Sequence, residues 1–286
     1  MNKATNLPNV IYTPESQIRS PLNLFQKMLH DLLNSKELAW RLFIRDISAQ
    51  YRQSFLGIFW AFIPPLVTSL VFILLQSHRV INFGETDIPY PVYVLIGTIT
   101  WQLFTESLNA PLKSTIQAKP ILAKINIPYE ALIVSAFFNI LFSLLLKLIV
   151  LAGIFIYFRI ELTPALFLLP MAFLLLISLG ISIGLLITPF GMLYTDVSSS
   201  LPIISQLWFF VTPVIYTPPT SFPLSLITIL NPVSPLLIGI RDLMTKGEIA
   251  ITGTYIMVGF LVPIVLLVAW ISFRVSIPII VERISS

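Results

Sequence analysis

The chain has 286 residues, 56% of them apolar and 10% charged, with a formal net charge of +4. That balance excludes an ordinary soluble globular domain, and the absence of cysteine excludes a disulfide framework or a thiolate metal site. His30 and His78 are the only histidines, so no imidazole-based metal or catalytic cluster is expected.

The first 20 residues are polar and lack the apolar core of a cleavable signal peptide. Seven of the seventeen Lys/Arg lie in the first 56 residues: Lys3, Arg19, Lys27, Lys36, Arg41, Arg45 and Arg52. Glu15, Asp31, Glu37 and Asp46 are interspersed, which argues against nucleic acid and for a cytoplasmic flank facing anionic lipid. Trp40, Phe43, Ile44, Ile47, Tyr51 and Phe55 recur at three- or four-residue steps, with Arg41, Arg45, Asp46, Arg52 and Gln53 on other faces. This pattern predicts an amphipathic helix, either in the membrane interface or packed on another subunit.

Six apolar stretches follow: Gly57–Ser77, Pro91–Asn109, Ala131–Phe158, Ala165–Phe190, Leu201–Tyr216 and Tyr255–Phe273. A run of about 20 apolar residues suffices for a helix to cross the hydrocarbon core. The expectation is an all-α polytopic membrane protein with six transmembrane helices. Residues 1–56 would be the cytoplasmic arm and interfacial helix, 57–275 the transmembrane domain and 276–286 a cytoplasmic tail. Phe222–Ile240 is broken by Asn231, Pro232, Ser234 and Pro235 into two pieces too short to cross. It reads as a re-entrant outer hairpin between helices 5 and 6, although a crossing there would give seven spans and move the C-terminus outside.

Charge supports six spans. With the N-terminus inside, twelve basic residues lie inside, including Lys113, Lys119 and Lys124 of a 110–128 loop and Arg274 and Arg283 of the tail. A short 191–200 loop completes the inner side. Four basic residues lie outside: Arg79, Arg159, Arg241 and Lys246. Lys147 is deep in the third span and Glu106 nearer the cytoplasmic end of the second, so their direct pairing is not expected from helix rise. Lys147 either lines a watery path or snorkels or caps a carbonyl in the bundle.

No glycine is followed by lysine, so a P-loop is excluded from this chain, and neither H-E-x-x-H nor a dinucleotide fingerprint occurs. A membrane-embedded enzyme of glycan assembly would need acids or histidines clustered at one membrane face. An ion-coupled carrier would need acids deep in the bundle. Neither pattern is present, so the chain reads as a pathway without its own engine.

Arg45–Gln76 reads RDISAQYRQSFLGIFWAFIPPLVTSLVFILLQ. It resembles the start of the transmembrane subunit of ABC exporters of polysaccharides, the O-antigen, capsule and teichoic-acid permeases. Arg45, Asp46, Tyr51, Arg52, Ser54, Leu56, Gly57 and Trp60 fit that family's R-D-x-x-x-x-Y-[RK]-x-S-x-L-G-x-x-W. Tyr194–Tyr216 and Leu230–Met244 resemble two further family elements, with Thr195 standing where the family usually has arginine. The resemblance implies a homodimer bound to two P-loop ATPase subunits, which would hold ATP and magnesium, so no cofactor is expected in this chain. It further implies a channel for a lipid-linked polysaccharide in the cytoplasmic membrane of a bacterium, with both termini cytoplasmic. An exporter of the same fold for a drug, a lipid or a smaller glycolipid is the alternative.

Aromatic rings can stack on the C–H faces of sugars. Candidate channel residues are Phe59, Trp60 and Phe62 in the first span and Trp208, Phe209, Phe210 and Tyr216 in the fifth; packing or belt roles are the alternative. Lys113, Lys119 and Lys124 with Ile116, Ile121 and Leu122 are candidates for a short helix contacting the ATPase, or for an ordinary positive loop. Pro64-Pro65 should kink the first span. Gly180 and Gly184 suit close packing within the subunit. Asn231 and Pro232 would hold the turn of the outer gate. Arg241 and Asp242 would either pair there or meet anionic sugars.

Overall fold

A computed structural model describes residues 21–52, 54–78, 86–122, 127–161, 163–219, 221–222 and 224–285. Lys3, Arg19, Gln53, Arg79 and Lys124 lie outside them. Among the described residues the regular structure is entirely helical. The helices are α1 (Pro21–Asn34), α2 (Lys36–Tyr51), α3 (Ile63–Ser77), α4 (Tyr90–Leu122) and α5 (Glu130–Phe158), then α6 (Leu169–Leu193), α7 (Thr195–Val211), α8 (Leu224–Leu230), α9 (Val233–Thr245) and α10 (Thr252–Ser285). Short 3-10 turns at Gly57–Ala61 and Pro164–Leu168 lead into α3 and α6. Three helical stretches, Glu130–Phe158, Pro164–Leu193 and Thr252–Arg283, are long and apolar enough to cross a membrane, making this a polytopic membrane protein.

α2 lays Ala39, Leu42 and Phe43 against the same chain, Ala39 and Leu42 in a cluster with Ala118 and Leu122 of α4 and Ala131 and Leu132 of α5. Trp40 and Phe43 meet Phe138 of α5 edge-on. Trp40 and Ile44 remain exposed on the outer side.

α4 and α6 form the centre. A Cβ on Gly180 would strike Ser107 and the Phe104 carbonyl, and one on Gly184 the Leu108 carbonyl and the Pro111 ring. These two glycines therefore let the helix backbones touch within one subunit. α6 also packs on α10 and α9.

Several boundaries differ from those expected. Pro64 and Pro65 stand at the start of α3 instead of kinking a longer helix. The first positions of a helix have no intrahelical amide partner, so proline costs little there. The 110–128 loop is helical as far as Leu122. Pro111 sits inside α4, its ring is buried against Gly184, and Leu112, Thr115, Ala118 and Leu122 carry the buried face onward. Each buried leucine contributes roughly 1.5–3 kcal/mol, comparable with the ~3 kcal/mol cost of an interior proline. The 191–200 loop shrinks to Tyr194, with α7 starting at Thr195. α10 continues past Phe273 to Ser285. Phe222–Ile240 divides at Asn231-Pro232 into α8 and α9, and nearly every residue of α9 is buried.

Candidate functional site

A groove of about 590 Å³ runs between α3, α4 and α7. α4 supplies Thr98, Gln102, Thr105 and Asn109, spaced so that they share one helix face, with Trp101 beside them. α3 supplies Val67, Thr68, Val71 and Phe72, and α7 supplies Pro202, Ser205, Gln206 and Phe209. Ser69 and Thr98 hydrogen-bond at 2.9 Å, pinning α3 to α4. Phe72 and Phe209 stack with centroids 5.9 Å apart, holding α3 to α7, and Trp101 meets Phe209 edge-on at 5.9 Å. Ser205 is buried, and its Oγ has no hydrogen-bond partner among the described residues. A buried hydroxyl without a partner is costly unless a ligand or water satisfies it. The lining combines amides, hydroxyls and rings, with no ionisable side chain.

A second polar centre lies at the end of α7, where the chain leaves helical geometry at Thr212–Tyr216. Non-helical backbone within a membrane bundle must have its carbonyls satisfied by protein. Arg241 of α9 donates to the Pro213 carbonyl at 3.3 Å and to the Val214 carbonyl at 2.7 Å. Tyr90 donates to the Ile215 carbonyl at 3.1 Å and Tyr93 to the Tyr216 carbonyl at 2.8 Å. The Arg241 guanidinium lies 3.7 Å over the Tyr93 ring. Gly97 of α4 faces this turn, and a Cβ there would collide with the Val214 carbonyl and with Arg241. Asn231 accepts from Trp208 Nε1 at 3.0 Å and from the Val233 amide at 3.1 Å, and donates to Thr212 Oγ1 at 2.8 Å.

Trp208, Tyr216, Asn231 and Arg241 thus meet around one turn, with Pro232 beside Asn231 at the start of α9. Phe209 lines the groove, while Phe59, Trp60 and Phe210 are exposed and Phe62 meets Phe59 at 6.3 Å. Arg241 serves carbonyls instead of Asp242 or solvent, and at 4% exposure it is closed to sugars. Asp242 accepts the Ala250 amide at 3.0 Å and lies 3.7 Å from Lys246. Lys246 also reaches Asp87 at 2.7 Å; the hydrogen bond holds the Asp87 carboxyl below its ordinary value and the Lys246 ammonium above its own.

Lys113, Ile116 and Lys119 lie on the exposed face of α4, Ile121 is half-buried and Leu122 is buried in the α2–α5 cluster.

Lys147 and Glu106 pair directly, with Nζ 2.5 Å from Oε1. Because α4 extends to Leu122, Glu106 falls near the middle of its helix and not near an end, which brings it level with Lys147. Ser143 donates to the other Glu106 oxygen at 2.7 Å and accepts from Lys147 at 3.0 Å. Burial pushes the Tyr51 phenol up, and the nearby Glu106 charge adds to that rise.

The groove residues of α4 carried a legible signal: Thr98, Gln102, Thr105 and Asn109 recur at three- and four-residue steps along one face of the helix.

The sequence profile of the ABC-2 type transporter family matches residues 37–245. The chain is 25% identical over 191 residues to the O-antigen export system permease protein RfbA of Myxococcus xanthus, covering 66% of this chain and 72% of the relative. It is also 25% identical over 236 residues to the protein of the same description in Klebsiella pneumoniae, covering 80% of this chain and 87% of the relative.

Proposed function

This chain belongs to the ABC-2 type transporter family as a membrane permease subunit, and on that premise we propose that it forms the channel of an ATP-driven polysaccharide exporter. Permeases of this family partner with ATPase subunits, and the transport subunit itself carries no catalytic domain. In this reading two copies associate with two P-loop ATPases, which hold ATP and magnesium. The crossings are α3, α4, α5, α6, α7 and α10, both termini face the cytoplasm of a bacterium, and α8–α9 re-enters from the outer side. The substrate is a lipid-linked glycan.

The observation that carries this reading is the groove between α3, α4 and α7. Its amides and hydroxyls match the hydrogen-bonding needs of sugar rings, and Phe72, Trp101 and Phe209 form its aromatic wall. The distant O-antigen permease relatives support the same class of cargo. The exposed cations Lys113 and Lys119, with Ile116, remain the proposed ATPase contact.

Affinity purification of the native complex tests the assembly, and co-reconstitution in liposomes tests the cargo. An ATPase near one-to-one and ATP-dependent delivery of a lipid-linked polysaccharide to the lumen are expected. Purification of the intact chain without an ATPase, or ATP hydrolysis without glycan delivery, would overturn the reading.

A further inference from the structure

In hydrogen-bonding terms α1 and α2 are one rod. The Ser35 amide donates to the Asp31 carbonyl at 2.9 Å and the Ala39 amide to the Ser35 carbonyl at 2.8 Å, so the helical ladder runs through the junction. Side-chain faces therefore keep their register from one helix to the next. One face is spent on the chain itself: Leu24, Met28, Ala39 and Leu42 are buried, and Asp31 reaches Arg274 at 2.6 Å. A second face carries Phe25, Leu29, Leu33, Trp40 and Ile44, at steps of four, four, seven and four residues, and all five are exposed. Lys36 fills the gap in that stripe, while Lys27, His30 and Arg41 stand on a third, exposed face. The stripe thus begins well before Trp40, on a helix that lies ahead of the residues matched by the family profile.

What covers the stripe follows from where its far end lies. Trp40 and Phe43 meet Phe138 edge-on, and the Tyr51 ring lies 6.5 Å from Phe142, both partners belonging to the crossing-length helix α5. α2 therefore runs beside the first turns of a span, where the neighbour of an outward apolar side chain is lipid. A soluble subunit could not follow the stripe past Trp40 to Ile44. A tryptophan suits the membrane–water boundary, and the stem of Lys36 can lie along apolar surface while its ammonium reaches lipid phosphate. We propose that α1 and α2 form a single lipid-facing strap, with Phe25, Leu29 and Leu33 seated in the headgroup–acyl boundary of the membrane that the bundle spans. The link between Asp31 and Arg274 fixes the rotation of α1, so the stripe is aimed by the fold itself. The proposal needs only the membrane location of the bundle and is independent of what the transporter carries.

The chain has no cysteine, so a single introduced cysteine reports one position. Leu29→Cys, Leu33→Cys and Ile44→Cys on the stripe, and Lys27→Cys and His30→Cys off it, are labelled with bimane in the full chain. Each is placed in nanodiscs of phosphatidylcholine and phosphatidylglycerol, with and without the ATPase subunit. Quenching is measured with a lipid carrying a nitroxide near the top of its acyl chain, and separately with aqueous iodide. An interfacial helix buries its apolar face about 5–10 Å into the boundary, so the three stripe probes should be quenched by the lipid at least about threefold more than the other two. Iodide should give the reverse order. Iodide access at Leu29 and Leu33 equal to that at Lys27 and His30 would overturn the proposal. Lipid quenching at Ile44 but not at Leu29 or Leu33 would confine the lipid face to α2 and overturn the strap. Shielding of Leu29 and Leu33 that needs the ATPase, without lipid quenching, would give this face to that subunit and overturn it as well.

Discussion

The indole N–H of Trp208 donates to the Asn231 side chain at 3.0 Å, joining the end of α7 to the start of α9. Asn231 also holds Thr212 Oγ1 and the Val233 amide, so three groups from two segments depend on one amide. Asn231→Leu removes all three bonds and leaves buried polar atoms unpaired. Each such atom costs about 1–3 kcal/mol. We expect a loss of about 3 kcal/mol or more, read as a lowered midpoint of thermal unfolding in detergent. Asn231→Asp keeps the two acceptor roles and should cost less. An unshifted midpoint for Asn231→Leu would show that the turn is held by Arg241 and the tyrosines alone.

Arg241 is the second hold on the same turn. Its forked guanidinium reaches two successive carbonyls while its face lies on Tyr93. An ammonium cannot match that geometry. Arg241→Lys should therefore destabilise nearly as much as Arg241→Met, because lysine retains the charge but cannot bridge both carbonyls. Comparing the two unfolding midpoints checks this. A fully wild-type midpoint for the lysine variant would mean that positive charge, and not the fork, is what the turn requires.

Much of this was legible from residue types alone. Asn231-Pro232 announces a break, and the small residues Gly180 and Gly184 announce a close helix pair. What hid the rest was tertiary compensation. Pro111 reads as a breaker, but its ring is buried against Gly184 and α4 continues. Pro64-Pro65 reads as a kink, but the chain before it is already non-α. With α4 cut short at Asn109, Glu106 and Lys147 fall at different depths on paper although they touch in the fold. The aromatic content of α7 drew attention to Trp208, whereas the groove's polar face lies on α4, where spacing was the signal.

Arg274 of α10 reaches Asp31 of α1 at 2.6 Å and Glu130 of α5 at 2.5 Å. Glu130 is 1% exposed, so removing its partner strands a buried carboxylate. Arg274→Ala should cost about 3–5 kcal/mol, and limited proteolysis should then cut within α1 first, a helix packed lightly on α5 and α2. Glu130→Gln in the Arg274→Ala background should recover much of the loss. Failure of that rescue would place the energy in the half-buried Asp31 arm.

Lys246 and Asp87 form an exposed pair, so its contribution should be small, at most about 1 kcal/mol. The signs differ at the two ends of the pH scale. Asp87 is depressed, so its contribution is present above its unfolded value of about 3.9 and lost as pH falls through the lower folded value. Lys246 is raised, so its contribution is complete below about 10.4 and lost as pH rises through the higher folded value. Asp87→Asn should therefore flatten both limbs slightly in thermal scans across pH, an effect that about 1 M salt should abolish. A large effect near neutral pH would contradict this assignment.

The groove makes a demand that stability does not. Thr105 lies between Gln102 and Asn109 on the open face of α4 and is half-buried, so a larger side chain there projects into free volume instead of the α4–α6 contact. Thr105→Trp should fill part of the roughly 590 Å³ space while leaving the Gly180 and Gly184 packing untouched. Co-purification of the ATPase and the unfolding midpoint should stay near wild type, while polysaccharide delivery in proteoliposomes should fall by about tenfold or more, a barrier increase of about 1.4 kcal/mol. Gly184→Val, which forces α6 away from the Leu108 carbonyl, should instead reduce assembly and transport together. The separation between those two outcomes distinguishes a conducting groove from a packing defect. Unimpaired export by Thr105→Trp would move the glycan path to another face of the bundle.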